Sequence, residues 1–188
     1  EGVFRMLDEM ATLYARDGTV RERMGPDTVN AVPHSHYETK DGRWIALACS
    51  TDKMFQRLAR VMGRPDLVAP DRYATVDQRV AKRDEVNRIV ADWMRQYTCE
   101  EIAQRCLDGD VPAGPINSVA DIFQDPHYKA RENLIERDHE RAGTLVVHNV
   151  VPRLSETPGS VDTLGPDLAQ HNEEIYSGLL GLSREQLD

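Results

Sequence analysis

Two histidines separated by a single residue are the first candidates for chemistry in this sequence. His34 and His36 fall in one predicted strand, where alternate side chains point to the same face. A zinc site needs three or four ligands, and the four other histidines and the three cysteines form no HExxH or paired-cysteine motif. We therefore expect no metal site and interpret both histidines as polar strand residues.

The three cysteines are the candidate nucleophiles. Cys49 ends an apolar strand and Cys106 lies on an apolar helix stripe, so both are predicted to be small core residues. Cys99 begins a helix, where the dipole favours a thiolate, but Glu100 and Glu101 oppose that charge. An odd number of cysteines without a CxxC pair argues against a disulfide framework and favours a reducing, cytoplasmic setting.

Acidic and basic side chains alternate along one predicted helical stretch. They are Asp71, Arg72, Asp77, Arg79, Lys82, Arg83, Asp84 and Glu85. This pattern is typical of a solvated helix face, and Asp8 is likewise interpreted as a surface acid of an amphipathic helix. Neither GxGxxG nor GxxxxGK[ST] occurs. The sequence therefore shows no self-contained active site.

The composition narrows the class of partner. The chain of 188 residues has a formal net charge of -9, a pI near 5.2 and a mean hydropathy of -0.56. Nucleic acid is not expected as a partner, because it requires a concentrated basic surface. No apolar run approaches the roughly 20 residues of a membrane span. The first residue is Glu1 and no signal-type stretch follows, which we interpret as a cut or processed end.

The elements that must position these residues begin with a β-hairpin. The pair Asp41-Gly42 separates residues 34–40 from residues 43–49, and such a pair suits the two positive-φ positions of a tight turn. Three helical stripes follow, within residues 54–62, 86–97 and 102–107, and they are expected to cover the apolar face of the hairpin. The predicted fold class is therefore α+β.

The remaining segments suggest a division of the chain. A helix is predicted from Val3 to Tyr14, the two prolines within residues 111–116 mark a boundary, and a second hairpin is predicted from residues 134–141 and 144–151. An aperiodic arm covers residues 152–167, and a helix follows near residues 172–180. We predict that residues 1–32 belong to a larger domain, residues 33–111 form a small α+β domain, and residues 112–188 form a return segment.

A series of short phrases follows one another along the chain. They are Tyr37–Ile45, Phe55–Leu58, Gly63–Leu67, Val111–Pro115, Asp125–His127, Ala130-Arg131, Pro152–Gly159, Leu164-Gly165 and His171–Glu174. In this order they resemble the C-terminal portion, including the small domain, of the family III CoA-transferases, also called the CaiB/BaiF family. The family includes formyl-CoA transferase, carnitine CoA-transferase and α-methylacyl-CoA racemase relatives. The resemblance runs from about residue 21 to residue 182.

The resemblance implies transfer of CoA from a thioester to another carboxylic acid, usually through a covalent aspartyl intermediate. CoA thioester and carboxylic acid are then substrates, with no covalently bound cofactor, and the family forms interlocked homodimers. The family's nucleophilic aspartate and most of its CoA-binding residues precede the region that matches Glu1. We therefore expect no catalytic residue in this chain and no activity of the chain alone.

The resemblance also indicates which residues face the substrate. In relatives the stretch before the first hairpin lies over the CoA and acyl group, and here it is Gly25–His34, without a run of glycines. Asn30, His34 and Tyr37 are therefore the candidate substrate-facing residues, whereas Gly165 and His171 are interpreted as part of a loop before a helix. A racemase acting on acyl-CoA and a non-catalytic binding module are the alternatives.

Overall fold

The computed structural model describes residues 2–186, which divide into two units after Ile116. The first unit contains residues 33–111, and the limits of the small α+β domain stay a prediction. Val32 is buried in the core, and Ala113–Pro115 adds a strand to the sheet. That residues 1–32 belong to a larger domain stays a prediction.

The sheet of the first unit has three antiparallel strands. They are β1 (His34–Glu38), β2 (Trp44–Ala48) and β3 (Ala113–Pro115), in the order β1-β2-β3. His34 pairs with Ala48, so the predicted hairpin is confirmed. The third strand was not predicted, because a three-residue strand that follows Pro112 and ends at Pro115 carries no alternating pattern.

The hairpin turn differs from the prediction. Gly42 has a φ of 72°, but Asp41 is not among the residues with positive φ. The Gly42 N–H donates to the Thr39 carbonyl at 3.0 Å, and the Thr39 N–H donates to the Arg43 carbonyl at 2.9 Å. These bonds close a three-residue loop, in which a turn is followed by one left-handed residue. Only the glycine of the pair therefore needs positive φ.

Six helices belong to the first unit. They are α1 (Gly2–Arg5), α2 (Met10–Asp17), α3 (Asp52–Val61), α4 (Val76–Ala81), α5 (Arg83–Met94) and α6 (Cys99–Asp108), with a 3₁₀ turn at Pro65–Val68. Capping boxes begin α4 and α6, at Thr75 with Gln78 and at Thr98 with Glu101. Each box joins a threonine to a glutamine or glutamate three residues later, a spacing that the sequence itself shows.

The predicted single helix from Val3 to Tyr14 is wrong. Asp8 has a φ of 49° and separates α1 from α2. The apolar spacing alone does not hold a helix together, because most helical stability in proteins comes from tertiary packing. Val3 and Met6 are 85% and 80% exposed, so this packing is lacking in the described first unit.

The core lies between one face of the sheet and the helices α3, α5 and α6, as predicted. Its fully buried side chains include Ile45, Phe55, Leu58, Val90, Met94 and Ile102. Leu107, predicted in the same stripes, is instead exposed. On β1, Ser35 and Tyr37 are buried whereas His36 is exposed, so the opposite face of the sheet is open.

The second unit contains α7 (Val119–Gln124), α8 (Pro126–Ala130), β4 (Leu134–His139), β5 (Gly143–His148), the π-helix α9 (Glu173–Leu179) and a 3₁₀ turn (Arg184–Gln186). The second hairpin and the helix near residues 172–180 are confirmed. No strand or helix falls between β5 and α9, which fits the predicted arm. None of the described side chains of this unit is buried.

No helix within residues 2–186 combines the length and the apolar character needed to cross a membrane.

Candidate functional site

An open groove lies on the face of the sheet that the helices leave uncovered. Its volume is about 370 Å³, and its floor consists of Ala46, Ala48 and Gly114. These residues leave room above the sheet because they carry a methyl group or no side chain. His34 and His36 line the same groove. The arrangement offers an apolar floor with two imidazoles that can donate or accept hydrogen bonds.

The position of His34 follows directly from strand geometry. His34 and His36 are two residues apart on β1 and therefore share one face, as predicted. The Nδ1 atom of His34 lies 3.3 Å from the Oγ atom of Ser50, just beyond β2. This contact restrains one imidazole, while His36 is exposed. His34 is therefore the more ordered of the two polar groups in the groove.

Tyr37 lies on the opposite face of the same strand. Its side chain is 4% exposed, and its hydroxyl donates to the Oδ1 atom of Asn87 at 2.7 Å. Burial raises the pKa of Tyr37 well above its usual range, so the hydroxyl stays protonated. Tyr37 does not line the groove. Tyr37 follows His34 by three positions on β1, and strand residues an odd number of positions apart point to opposite faces. The structure therefore does not bring Tyr37 and His34 together.

Asn30 lines a second cavity, which has a volume of about 340 Å³. Glu9 and Arg21 line it as well and form an ion pair, and the hydrogen bond from Arg21 holds the pKa of the Glu9 carboxyl below its usual range. Asp27 lines this cavity, whereas the preceding Pro26 lines the groove. The segment around these residues is therefore a wall shared by the two cavities.

Arg79 was predicted to lie on a solvated helix face, and this prediction is wrong. Its side chain is 0% exposed. The guanidinium donates to the carbonyls of Val32 (2.6 Å), Tyr73 (3.0 Å) and Ala74 (3.2 Å), and to the Asp52 carboxylate at 2.9 Å. Its central carbon also lies 4.6 Å from the ring centroid of Phe55. A buried guanidinium with these partners satisfies its charge inside the protein.

Two further side chains on the same side of the α4–α5 region contact the segment before the sheet. Arg83 donates to the carbonyls of Thr28 (2.6 Å) and Val29 (2.8 Å). Asn87 donates to the Asp27 carboxylate at 3.1 Å while accepting from Tyr37. The spacing of Arg83 and Asn87 was a signal that could have been found, because residues four apart on one helix share a face.

The cysteines are not part of a site. All three are buried, as predicted for Cys49 and Cys106, and they form no disulfide within residues 2–186. Burial raises the pKa of Cys49 to about 12 and that of Cys106 to about 11. Cys99 is also buried, and its N–H donates to the Asp41 carboxylate at 3.1 Å. Within residues 2–186, no three histidine, cysteine or acidic side chains cluster as a metal site.

The two tail residues belong to the second unit, and neither lines the groove. Gly165 has a φ of 100° and lines a small cavity of the second unit with Arg141 and Asp167, which form an ion pair. His171 is exposed, and its Nδ1 atom lies 3.2 Å from a carboxylate oxygen of Glu174. These positions agree with the interpretation of a loop before a helix.

Two CoA-transferase subunits are similar to this chain over its whole length. The alpha subunit of succinyl-CoA–L-malate CoA-transferase of Chloroflexus aurantiacus is 49% identical over 187 residues, which are 100% of this chain and 44% of that protein. The beta subunit from the same organism is 46% identical over 190 residues, covering 100% of this chain and 47% of that protein. The chain thus spans less than half the length of these relatives.

A comparison with solved structures points to the same family as the sequence comparison. A CaiB/BaiF family protein from Brucella suis superimposes with a TM-score of 0.72 and 30% sequence identity, covering 93% of this chain and 45% of that protein. The profile of CoA-transferase family III matches residues 1–172. The resemblance seen in the short sequence phrases is therefore confirmed, and the chain belongs to CoA-transferase family III.

Proposed function

We propose that the full-length protein containing this chain transfers CoA from a CoA thioester to a free carboxylic acid. One observation carries this proposal: the chain is 49% identical over its whole length to a subunit named as a CoA-transferase. Membership of CoA-transferase family III supports the same reaction type. Because the chain spans less than half of that relative, the active site requires residues outside this chain.

The proposed substrates are small dicarboxylic acids. Both relatives named above are subunits of a succinyl-CoA–L-malate CoA-transferase, so succinyl-CoA is the proposed donor and malate or a similar hydroxylated diacid is the proposed acceptor. The open groove on the sheet face supports a role in enclosing such substrates, since its apolar floor is edged by two imidazoles. Asn30 and His34 are the proposed substrate-facing residues, with Tyr37 supporting the strand from behind.

The proposed chemistry uses an aspartate that lies outside residues 1–188. Its carboxylate attacks the thioester carbonyl and the C–S bond breaks. This step releases CoA as a thiolate and leaves a mixed anhydride between the aspartate and the donor acid. The thiolate then attacks the aspartyl carbonyl and releases the first acid, which leaves an aspartyl-CoA thioester. The acceptor carboxylate next attacks the aspartyl-CoA carbonyl and releases the CoA thiolate, which forms a second mixed anhydride. The thiolate then attacks the acyl carbonyl of the acceptor, which gives the new CoA thioester and regenerates the aspartate. No oxidant, reductant or metal is needed for the balance.

The proposed assembly is a pair of chains of this family. The family resemblance implies a homodimer. The two relatives are named as an alpha and a beta subunit, so a heterodimer of two related chains is the alternative assembly. The three buried cysteines form no disulfide within residues 2–186, which is compatible with the reducing, cytoplasmic setting that we propose for the protein.

The test is a product assay with the purified full-length protein in D₂O. We expect succinyl-CoA and L-malate to give malyl-CoA and succinate in equal amounts, without deuterium entering the α-carbon of any thioester. Deuterium exchange at the α-carbon of a branched acyl-CoA without CoA transfer would establish the racemase alternative. Tight CoA-thioester binding with neither reaction would establish a binding module. Chromatography and mass spectrometry distinguish all three results.

A further inference from the structure

The wall shared by the two cavities consists of residues 24–32, which we call the wall segment. Pro26 lines the groove on the sheet face, while Asp27, Thr28 and Asn30 line the second cavity. The segment contains no strand or helix. Its position therefore depends on contacts from other parts of the first unit, not on backbone hydrogen bonds of its own regular structure.

Three side chains from the α4–α5 region supply these contacts. Arg79 donates to the carbonyl of Val32 at 2.6 Å, at the end of the wall segment. Arg83 donates to two successive carbonyls in its middle, those of Thr28 and Val29, at 2.6 and 2.8 Å. Charged donors of this kind form stronger hydrogen bonds than neutral ones. Arg83 and Asn87 are four apart on α5 and so share one side of that helix, whereas Arg79 belongs to α4.

Asn87 connects the wall segment to the strand behind the groove. Its amide nitrogen donates to the Asp27 carboxylate at 3.1 Å, and its amide oxygen accepts from the Tyr37 hydroxyl at 2.7 Å. Tyr37 belongs to β1, which also carries His34. The wall segment and the strand of the groove are thus tied to the same helix, and the contacts fix one relative to the other.

We infer that Arg83 is a positioning residue, which holds the wall segment in place so that the substrate meets an ordered wall beside the groove. This inference rests on the proposed function. Among residues 2–186, the side chain of Arg83 donates hydrogen bonds only to main-chain carbonyls of the wall segment, so it fixes the backbone whichever side chains the segment carries. Unlike Arg79, it is only partly buried and contributes little to the core.

The test compares variants of the full-length protein. Arg83→Ala removes both bonds, Arg83→Lys keeps the charge but cannot match the fork of the guanidinium, and Arg88→Ala is the matched control. Arg88 lies on the exposed side of the same helix and forms no hydrogen bond or ion pair within residues 2–186. Thermolysin cleavage before Val29, Ala31 or Val32 reports the mobility of the wall segment, and succinyl-CoA kinetics report its effect on the site.

We expect Arg83→Ala to be cleaved in the wall segment about tenfold faster than the wild type, as the loss of charged hydrogen bonds implies. KM for succinyl-CoA should rise by a similar factor while kcat changes little, because a mobile wall lowers only the fraction of protein that is ready to bind. Arg83→Lys should lie between Arg83→Ala and the wild type, and Arg88→Ala should match the wild type.

A merely structural role would give a different result. Loss of folded protein lowers the apparent kcat and leaves KM unchanged. Unchanged cleavage of the wall segment in Arg83→Ala, or faster cleavage with an unchanged KM, would therefore overturn the inference while an active wild type upholds the proposed function. A wild type without CoA transfer would overturn both.

Discussion

Arg79 is the residue on which the packing of the first unit most depends. It joins the end of the wall segment, the loop before α4 and the start of α3 through four hydrogen-bonded groups. Three of these groups are main-chain carbonyls, which lose their partner if the guanidinium is removed. Unsatisfied buried acceptors are costly, whereas surface arginines contribute little to stability.

We predict that Arg79→Met lowers the free energy of unfolding by about 3 kcal/mol, since it leaves several carbonyls without a donor. The matched control is Arg95→Ala, because Arg95 is largely exposed and lies 3.7 Å from Asp92. That change should cost less than about 0.5 kcal/mol. Urea unfolding followed by tryptophan fluorescence measures both. Equal effects of the two substitutions would show that Arg79 has no special structural role.

The thiols give a second prediction at the residue scale. Cys49, Cys99 and Cys106 are buried, and the raised pKa values of about 12 for Cys49 and about 11 for Cys106 keep both groups as neutral thiols at pH 8. We expect no reaction of the native protein's three thiols with a disulfide reagent at pH 8, and full reaction in guanidinium chloride. Rapid labelling of any of the three in the native state would contradict the buried assignment.

The same thiol shifts have a consequence for pH. A thiol whose pKa is higher in the folded state than in the unfolded state stabilises the fold fully below the unfolded value and loses that contribution as pH rises. For Cys49 this window runs from the usual thiol pKa of 9.0 to a pKa of about 12 in the folded protein. Stability should therefore fall with rising pH above 9, and Cys49→Ala should show a weaker decline in that window.

At the scale of elements, the hairpin turn allows a direct test of its geometry. Gly42 has a φ of 72°, a conformation that an L-residue adopts at a cost, although a Cβ there would meet no atom within 4 Å. Gly42→Ala should therefore destabilise the protein by about 1 kcal/mol through backbone strain alone. Gly114→Ala is the control, since it also has free space but no positive φ. A similar loss in both variants, measured by thermal unfolding, would refute this explanation.

Elements governed by nearby residues could be predicted from the sequence. The capping boxes at Thr75 and Thr98 involve residues three apart, and the two hairpins show in turn residues and strand patterns. The stripes of α3, α5 and α6 also predicted which helix faces cover the sheet. In each case the signal and its physical cause lie within a few residues of each other.

Features that depend on distant contacts could not be predicted in this way. The burial of Arg79 depends on Val32, which is 47 residues away, so its position in an alternating charge pattern was misleading. The break at Asp8 occurs because α1 and α2 lack packing partners in the described first unit. The candidate site shows the same limit. Strand alternation places His34 beside His36 and Tyr37 on the opposite face, but only the structure showed which face the helices cover and that Asn30 lines another cavity.

At the scale of the whole molecule, many large apolar side chains are exposed. Within the second unit no described side chain is buried, and Val119, Val151, Leu168 and Leu179 are among its most exposed apolar residues. The stripe of α1 and α2 in the first unit is exposed as well. Exposed apolar surface of this extent is typical of a surface that packs against other protein.

We predict that the chain of residues 1–188 self-associates when it is produced alone. Its exposed apolar residues would be covered by other copies in the absence of the rest of the protein. Size-exclusion chromatography with light scattering should give a mass well above the 21.3 kDa of one chain. A uniform species of 21.3 kDa at high concentration would count against this prediction.

We propose that this chain shapes the substrate site, whereas an aspartate elsewhere in the full-length protein forms the covalent intermediate. Mass spectrometry after incubation with succinyl-CoA tests it most directly. We expect the full-length protein to gain the mass of CoA less one water, on an aspartate in a peptide outside residues 1–188, and the isolated chain to show neither this adduct nor turnover. A CoA adduct within residues 1–188, or CoA transfer by the isolated chain, would contradict the claim.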